Sequence, residues 1–311
     1  MLEGQLTRYG AIAKALPLMS PGAKVFFLAP SSASWYGSFQ HEFPADKDGF
    51  ARVHTTFAAV LANGGLVASR GDVVVALPGY TETLTAVLSL TTAGVTWLGL
   101  GEGLLKPTIT VNYAGHGVAL AANNTTFDGF HFAAPGTDAA LSMIKIDDNI
   151  TGCIIRNITG IGSDATNNFV DCIRIGIGAN DHTLQNIRLT AGTVAVPTFL
   201  TFDGAVSRSN IGGFYAFGSV ATAGIVDATG ARIKGAIWRD IRIAVGGSSK
   251  PALTIDAGGE GMVYDCFFAG THTTIASNAS FSGDWRRSQV YVSEAGGNEV
   301  QGALIPAVDS D

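Results

Sequence analysis

The central part of the chain repeats a short pattern of apolar and polar positions. Between residues 118 and 270 each copy reads apolar, any residue, Asn, Asp or Gly, apolar, any residue and usually apolar. The small or polar residues at the centre of the six copies are Gly129, Asn157, Asn186, Gly213, Asp240 and Asp265. They are separated by 28, 29, 27, 27 and 25 positions, so the period is about 27 residues. Alternation with a period of two inside each copy predicts β-strands.

A second apolar segment occurs once in each repeat, in phase with the first. Its copies span residues 118–120, 143–146, 173–175, 199–202, 225–226 and 253–255. Two or three short strands per repeat, with Gly, Asn and Asp at the corners, are typical of a solenoid of parallel β-strands. A leucine-rich horseshoe is disfavoured because its Leu-x-x-Leu-x-Leu skeleton is absent. The pattern therefore predicts an all-β fold, a parallel β-helix.

A short amphipathic helix is expected to close the N-terminal end of this solenoid. Thr55 or Thr56 could cap the helix, and residues 63–65 would end it. Its apolar face would consist of Phe57, Val60 and Leu61. A buried strand with a hard stop follows across residues 71–80. Because the open end of a solenoid exposes core residues and unpaired backbone groups, a helix placed there covers both.

Three segments are predicted from these signals. Residues 51–285 would form the β-helix, with about eight to nine coils of about 27 residues. Residues 1–50 are expected to be an N-terminal arm. Residues 286–311 are expected to be a C-terminal arm with a turn at 296–298 between two short strands.

Composition narrows the classes of function. Only 14% of the residues are charged, against about 25% in an ordinary soluble domain, and there are 40 glycines. The mean hydropathy of +0.28 suggests a membrane protein, but the uncharged stretches 83–101 and 209–226 are rich in Thr, Ser, Gly and Asn and favour strands. No signal peptide is predicted, since charged residues interrupt the N-terminus. The net charge of −6 and the lack of a basic run disfavour nucleic acid as a partner.

The three cysteines make an odd count without Cys-x-x-Cys spacing. They are Cys153, Cys172 and Cys266. We expect them to be small buried core residues of a protein that folds in a reducing cytoplasm.

A family resemblance becomes visible in the first part of the chain. Asp48-Gly49, followed by the segments 55–60, 71–75 and 77–80, resembles the opening of right-handed parallel β-helix proteins of the pectate-lyase-like superfamily. Residues 22–28 with the segment that follows them are more similar to β-helical structural proteins of tailed bacteriophages. The resemblance implies a right-handed solenoid and a place in the virion. It transfers no catalytic residue.

Fragments of the polygalacturonase signature are present but in the wrong order. They are Gly115-His116-Gly117, Asp147-Asp148 and Arg232-Ile233-Lys234. In that family the His fragment follows the Asp pair, whereas here it precedes it, and Asn123-Asn124-Thr125 lacks the third carboxylate. In a solenoid, the position of a residue along the chain determines the rung on which its side chain lies. The reversed order therefore places these side chains on the wrong rungs for an active site of that family.

Arg70-Gly71-Asp72 matches the integrin-binding tripeptide, but its place at the start of the entry strand predicts a structural role.

Several strands end in an aspartate that could set a corner or bind a cation. These residues are Asp147, Asp203, Asp227 and Asp256. Asp bonds its own backbone at such corners, and a stacked row could instead bind Ca²⁺. Gly176 stands at the matching place in one coil and breaks the row, so the corner role is favoured.

No other group of residues selects an active site. The arginines that a lyase could use as a base are spread over different coils, at Arg156, Arg174, Arg188, Arg239 and Arg242. The histidines lack metal-ligand spacing; they are His41, His54, His116, His131, His182 and His272. His131 alternates with two phenylalanines and is expected to point outward. The sequence thus predicts no catalytic, cofactor-binding or metal-binding residue.

The predicted outer surface of the strands is poor in charge, and this suggests assembly. Positions expected to face outward include Thr96, Gly99, Ala119, Ala121, Thr198, Thr201, 214–217 and 267–268. Flat faces of this composition favour burial against another subunit, and we expect a homotrimer.

The favoured function is that of a non-enzymatic virion structural protein. It would be a capsid decoration or cement protein on the capsid surface, with the terminal arms contacting the major capsid protein, and with no nucleic-acid or membrane partner. The alternative is a tail spike or fibre protein that binds or cleaves host surface polysaccharide. Exposed tryptophans in a groove with two carboxylates would favour that alternative, the candidates being Trp35, Trp97, Trp238 and Trp285.

Overall fold

The computed structural model describes residues 22–136, 140–192, 194–227, 233–246, 250–254, 259–270, 281–286, 289–293 and 299–304. The helices are α1 Tyr36–Glu42 and α2 Phe57–Ala62, with a 3-10 turn at Gly103–Leu105. No helix in these ranges is long and apolar enough to span a membrane. The strands are β1 Val25–Leu28, β2 Val53–His54, β3 Val73–Ala76, β4 Thr81–Leu84, β5 Leu88–Leu90, β6 Thr96–Gly99, β7 Thr108–Val111, β8 His116–Leu120, β9 Thr126–Asp128, β10 His131–Phe132, β11 Ala140–Ile146, β12 Ile154–Ile161, β13 Phe169–Ile175, β14 Thr183–Thr190, β15 Val196–Phe202, β16 Val206–Ser207, β17 Asn210–Asp227, β18 Ile233–Lys234, β19 Ala236–Gly246, β20 Leu253–Thr254, β21 Gly259–Tyr264, β22 Phe267–Gly270, β23 Phe281–Arg286, β24 Gln289–Ser293 and β25 Glu299–Leu304.

The strands stack into a right-handed parallel β-solenoid of about eight turns, as the sequence predicts. Each coil crosses three faces. The first face is the sheet of β5, β8, β11, β13, β15, the last part of β17, and β20. The second and third faces lie on either side of a bend, so that a long strand such as β12 contributes its first half to the second face and its last half to the third.

The bend between the second and third faces falls on the central residue of the repeated phrase. All six central residues have a positive φ, with values of 85° at Gly129, 55° at Asn157, 53° at Asn186, 63° at Gly213, 49° at Asp240 and 54° at Asp265. Gly, Asn and Asp tolerate this left-handed conformation better than other residues. The polar spacing in the sequence therefore marks a backbone corner that recurs once per coil.

A second row of left-handed corners joins the first face to the second. Its members include Gly94, Asn124, Gly152, Asp181, Arg208 and Gly235. The backbone N–H at a corner donates to a carbonyl of the next coil, as in Asn124 to Thr151 at 2.9 Å and Asp181 to Ser207 at 3.0 Å. The corners are thus hydrogen-bonded from coil to coil.

The interior is one continuous apolar stack. Trp97 and Trp238 are fully buried in it, and Phe127 stacks on Phe130 with ring centroids 4.4 Å apart. The prediction of buried core cysteines is confirmed, because all three are free and buried. Burial raises the pKa of the Cys153 thiol to about 11. Buried thiols of this kind are inert.

The predicted capping helix is present as α2. The hydroxyl of Thr56 accepts a hydrogen bond from the Ala59 N–H at 3.1 Å, and Phe57 and Val60 are buried in the end of the core. The Glu82 carboxylate accepts from the Phe57 N–H at 3.0 Å. The end of the stack is therefore closed by apolar side chains and by two caps on one short helix.

Part of the segment expected to be the N-terminal arm belongs to the sheet. β1 lies inside residues 1–50, the expected arm, and pairs in parallel with β3, Val25 opposite Val73. β1 sends Phe26 and Leu28 into the solenoid core, whereas Val25 and Phe27 join a separate cluster on the outer surface. β1 lies between β3 and β2, which pairs with its other edge, so this face begins with β2 and β1.

At the other end, the two strands expected between residues 289 and 305 are present. β24 pairs in parallel with β22, and β25 pairs antiparallel with β24. The turn expected at 296–298 lies outside the described residues. The parallel stack thus ends in an antiparallel strand.

Several residues expected to face outward are buried instead. Gly99, Ala119, Thr198, Phe214 and Phe268 are all buried. On the first face, two consecutive residues point inward, as Phe199 and Leu200 do, and this moves the alternation by one position. The positive φ at Gly213 likewise shifts the alternation of inward- and outward-facing side chains by one position, so that the Phe214 side chain points into the core.

Candidate functional site

The outer surface of the first face carries a column of polar residues on successive rungs. His116, Ser142, Asp171 and Thr198 occupy the same register position in β8, β11, β13 and β15. His116 Nδ1 lies 2.9 Å from Ser142 Oγ, and the Thr198 hydroxyl donates to the Asp171 carboxylate. Ser142 and Asp171 are buried, so they are not placed to meet a substrate.

The carboxylates of this face are bound to its own cations. The Arg174 guanidinium lies 2.7 Å from Asp171 and 2.7 Å from Asp203, and Lys145 Nζ lies 3.1 Å from Asp147. Of the corner carboxylates of the predicted row, Asp203 thus pairs with a residue of the neighbouring rung and Asp147 with a residue of its own coil. No group of His, Cys, Asp and Glu suited to a metal ion occurs among the described residues.

Two of the polygalacturonase-like fragments lie on neighbouring rungs but at opposite ends of their strands. His116 is on β8, and Asp147 follows the neighbouring strand β11. The Asp148 carboxylate accepts from the Ile177 N–H at 3.1 Å, which is a corner role. Arg232 lies outside the described residues, as does Asp256 of the strand-end row.

Asp72 of the Arg-Gly-Asp tripeptide is fully buried. Its carboxylate accepts hydrogen bonds from the Arg70 side chain and from the backbone N–H of Lys24 and Val67, at 2.6 to 2.9 Å. The tripeptide is therefore part of the first coils and is not displayed for a receptor.

A groove runs along the outer surface of the third face, and we call it the third-face groove. His131, Thr159, Arg188, Tyr215 and Arg242 form one column across five rungs. At about 4.8 Å per rung, the column is roughly 19 Å long. With the side chains of Ile161 and Phe217 beside it, the cleft has a volume of about 670 Å³.

Tyr215 lies between two guanidinium groups in this groove. The Arg188 and Arg242 groups lie 5.7 and 5.8 Å from the centre of its ring, within the range of cation–π contacts. Its hydroxyl donates to Asp240 at 2.5 Å, and this hydrogen bond raises the pKa of Tyr215. Asp240 lies 3.4 Å from Arg242, but no carboxylate among the described residues lies within ion-pair distance of Arg188.

A second cleft, of about 720 Å³, continues the groove toward the N-terminal end. The two clefts share His131 and Thr159, and the loop 100–107 forms the far wall of the second one. Lys106 Nζ donates to the Asn157 carbonyl at 2.6 Å, and burial lowers the pKa of this amine. Burial also lowers the pKa of His131, with the Lys106 charge acting in the same direction.

The groove was not predicted from the sequence, although the sequence contains a signal for it. Arg188, Tyr215 and Arg242 are each separated by 27 positions, which is one period. Residues at the same phase of a repeat stack in one column. By contrast, Arg156 and Arg239 lie on the second face and Arg174 lies on the first.

The fold and its corner ladders define the chain as a parallel β-solenoid protein. Comparison with protein-family models, with curated proteins and with solved structures finds no match to the chain.

Proposed function

We propose that the chain is a non-enzymatic structural protein of a tailed-phage virion. It would act as a decoration or cement protein of the capsid and associate side by side as a homotrimer. The phage context follows from the resemblance of residues 22–80 to the entry segments of phage β-helices, and the assembly role follows from the surface.

The observation that carries the proposal is one column on the outer second face. It runs in register from Val25 and Val73, through mostly polar residues, to Ile237 and Met262, and β23 forms the next rung beyond Met262. The first two side chains are each 8% exposed and belong to the cluster on which α1 packs, whereas Ile237 and Met262 are 44% and 40% exposed. Apolar side chains left uncovered at one end of a face are typical of a contact with another chain.

Two features favour this role over polysaccharide cleavage. An inverting glycosidase needs two carboxylates about 6.5 to 9.5 Å apart with a water between them. Asp171 and Asp203 instead share Arg174. Trp97 and Trp238, which could have stacked on sugar rings, are fully buried, and the Trp285 side chain lies outside the described residues.

The test is the amount of the chain in purified virions, measured by quantitative mass spectrometry against the major capsid protein. A decoration protein is expected in proportion to the capsid subunits. A few copies per particle would contradict the capsid role and favour the tail. Release of reducing or unsaturated ends from an acidic polysaccharide would contradict the non-enzymatic role.

A further inference from the structure

We infer that the third-face groove binds an extended acidic peptide segment in which carboxylate residues alternate with apolar ones. The inference rests on the function proposed above for the source of that segment, an assembly partner. It assigns a binding surface separate from the apolar column of the second face.

The first argument is the charge of the groove. Lys106 lies in the adjoining cleft, which Glu102 and Asp128 also line. The third-face groove itself is lined by Arg188 and Arg242 and by no carboxylate; Asp240 lies 3.4 Å from Arg242, and no carboxylate among the described residues lies within ion-pair distance of Arg188. The chain as a whole has a net charge of −6, so this cationic strip stands out from its surroundings. Guanidinium groups bind carboxylates through paired charge-assisted hydrogen bonds.

The second argument is the spacing of the cations. Arg188 and Arg242 are two rungs apart, which is about 10 Å. In an extended peptide, side chains on one face recur roughly every 7 Å, and long Glu side chains span the remaining distance. Tyr215 lies between the two guanidiniums and offers a ring surface to the residue between the carboxylates.

The third argument is the apolar part of the groove, which favours a peptide over a sugar chain. Ile161 and Phe217 are 38% and 45% exposed, and they occupy a second column two residues beyond the charged one. Apolar side chains of a peptide can bury this surface, whereas a polyhydroxylated chain cannot. Exposed Arg, Tyr and Phe on one surface are also the residues enriched in protein interfaces.

The test uses the full chain and a fluorescent synthetic peptide in which Glu alternates with Val. We expect binding that weakens with added salt, and no binding of the peptide in which Lys replaces Glu. Arg188→Gln and Arg242→Gln are each expected to weaken binding about tenfold, the effect of losing one charge-assisted contact. The matched control is Arg239→Gln, which removes an exposed arginine of the second face and should leave binding unchanged.

Three results would overturn the inference. They are absence of peptide binding to the folded wild-type chain, tighter binding of oligogalacturonate than of the peptide, and dissociation of an oligomer by Arg188→Gln. The last result would mean that a second copy of the chain fills the groove. If the peptide does not bind but the copy number in virions is proportional to the capsid subunits, the inference fails and the proposed function stands. If the peptide binds but only a few copies are present per particle, the inference stands and the proposed capsid function fails.

Discussion

The two ends of the second face differ in what covers their outer side chains. At the N-terminal end the chain supplies its own cover, because α1 packs Phe39 and Phe43 against Phe27 with ring centroids 5.1 and 4.6 Å apart. The neighbouring column, which begins with Val25 and Val73, continues through Thr96, Thr126, Ile154, Thr183 and Asn210 to Ile237 and Met262, which are 44% and 40% exposed. Apolar outer positions therefore occur near both ends of one face, and among the described side chains those near the N-terminal end lie in the cluster on which α1 packs.

Apolar residues on the outer surface of a strand therefore have two different roles: some stabilise the fold, and others stay exposed for a contact with another chain. Val25 and Val73 belong to a small second core that helps to fold the first rungs. Ile237 and Met262 contribute little to folding, since they stay in contact with water. Burial of these two side chains by another chain is expected to contribute favourable free energy to association.

The largest expected effect comes from opening the covered end. Phe27→Ala removes a 1% exposed ring from the cluster under α1 and is expected to cost about 3 to 5 kcal/mol of unfolding free energy. The matched change Phe217→Ala, at a 45% exposed ring, should cost less than about 0.5 kcal/mol. Urea unfolding followed by circular dichroism measures the unfolding free energy of both variants. Equal losses of unfolding free energy would contradict the proposed difference between the covered and the exposed ring.

Acid is expected to act most strongly on the middle of the stack. His182 is fully buried, its Nδ1 accepts from the Cys153 N–H at 3.2 Å, and burial lowers its pKa to about 4. The unfolded chain then binds a proton more readily, so stability is complete above about pH 6.5 and falls as the pH drops toward 4, by roughly 3 kcal/mol in all.

The matched variant for this effect is His182→Asn, whose side-chain oxygen can accept from Cys153 without titrating. Unfolding free energy measured between pH 7 and 4 should show a shallower slope in the variant. An unchanged slope would mean that His182 does not set the acid response.

An intermediate effect is expected at the open end. Ile237→Lys places a charge in the uncovered column and should weaken self-association by about 2 kcal/mol while leaving the folded subunit intact. Size-exclusion chromatography with light scattering should find a trimer for the wild type and smaller species for the variant. Val87→Lys is the control, since Val87 is 47% exposed but lies outside this column; a monomeric wild type would refute the trimer.

The smallest effect tests the corners that both ends share. Arg208 has a φ of 55° and forms an exposed ion pair with Asp181 at 2.5 Å. Arg208→Gly and Arg208→Ala both remove the pair, so their difference reports the backbone alone. The Gly variant should be more stable by roughly 1 kcal/mol in thermal unfolding, because Ala is strained at this φ. Equal stabilities would show that the corner tolerates an ordinary side chain.

The period, the corners and the capping helix were predictable because each follows from local chemistry. Asn157 and Asp240 mark left-handed corners that few residue types accept, and Thr56 marks a helix start. The burial of Cys153 follows from its phase in the repeat. These features depend on one residue and its immediate neighbours in the chain.

The remaining features depend on which coils lie next to each other. Thr201 was expected outside, but its hydroxyl donates to Asp171 on the neighbouring rung at 2.7 Å, and both are buried. α1 was missed, although Trp35, Phe39 and Phe43 recur at a spacing of four residues, because a short segment of this kind becomes a helix only when a surface receives its aromatic face. The groove was missed for a similar reason, since its residues come from different coils.

The hydrogen-bonded corners also make the molecule measurable in units of its own repeat. Because each corner donates to the adjacent coil, insertion or loss of one repeat of about 27 residues would alter the length by one rung of about 4.8 Å and leave the other corners as they are. The length of the solenoid therefore increases by the same amount with each coil. The number of repeats would then set the distance between partners that bind on either side of an inserted coil.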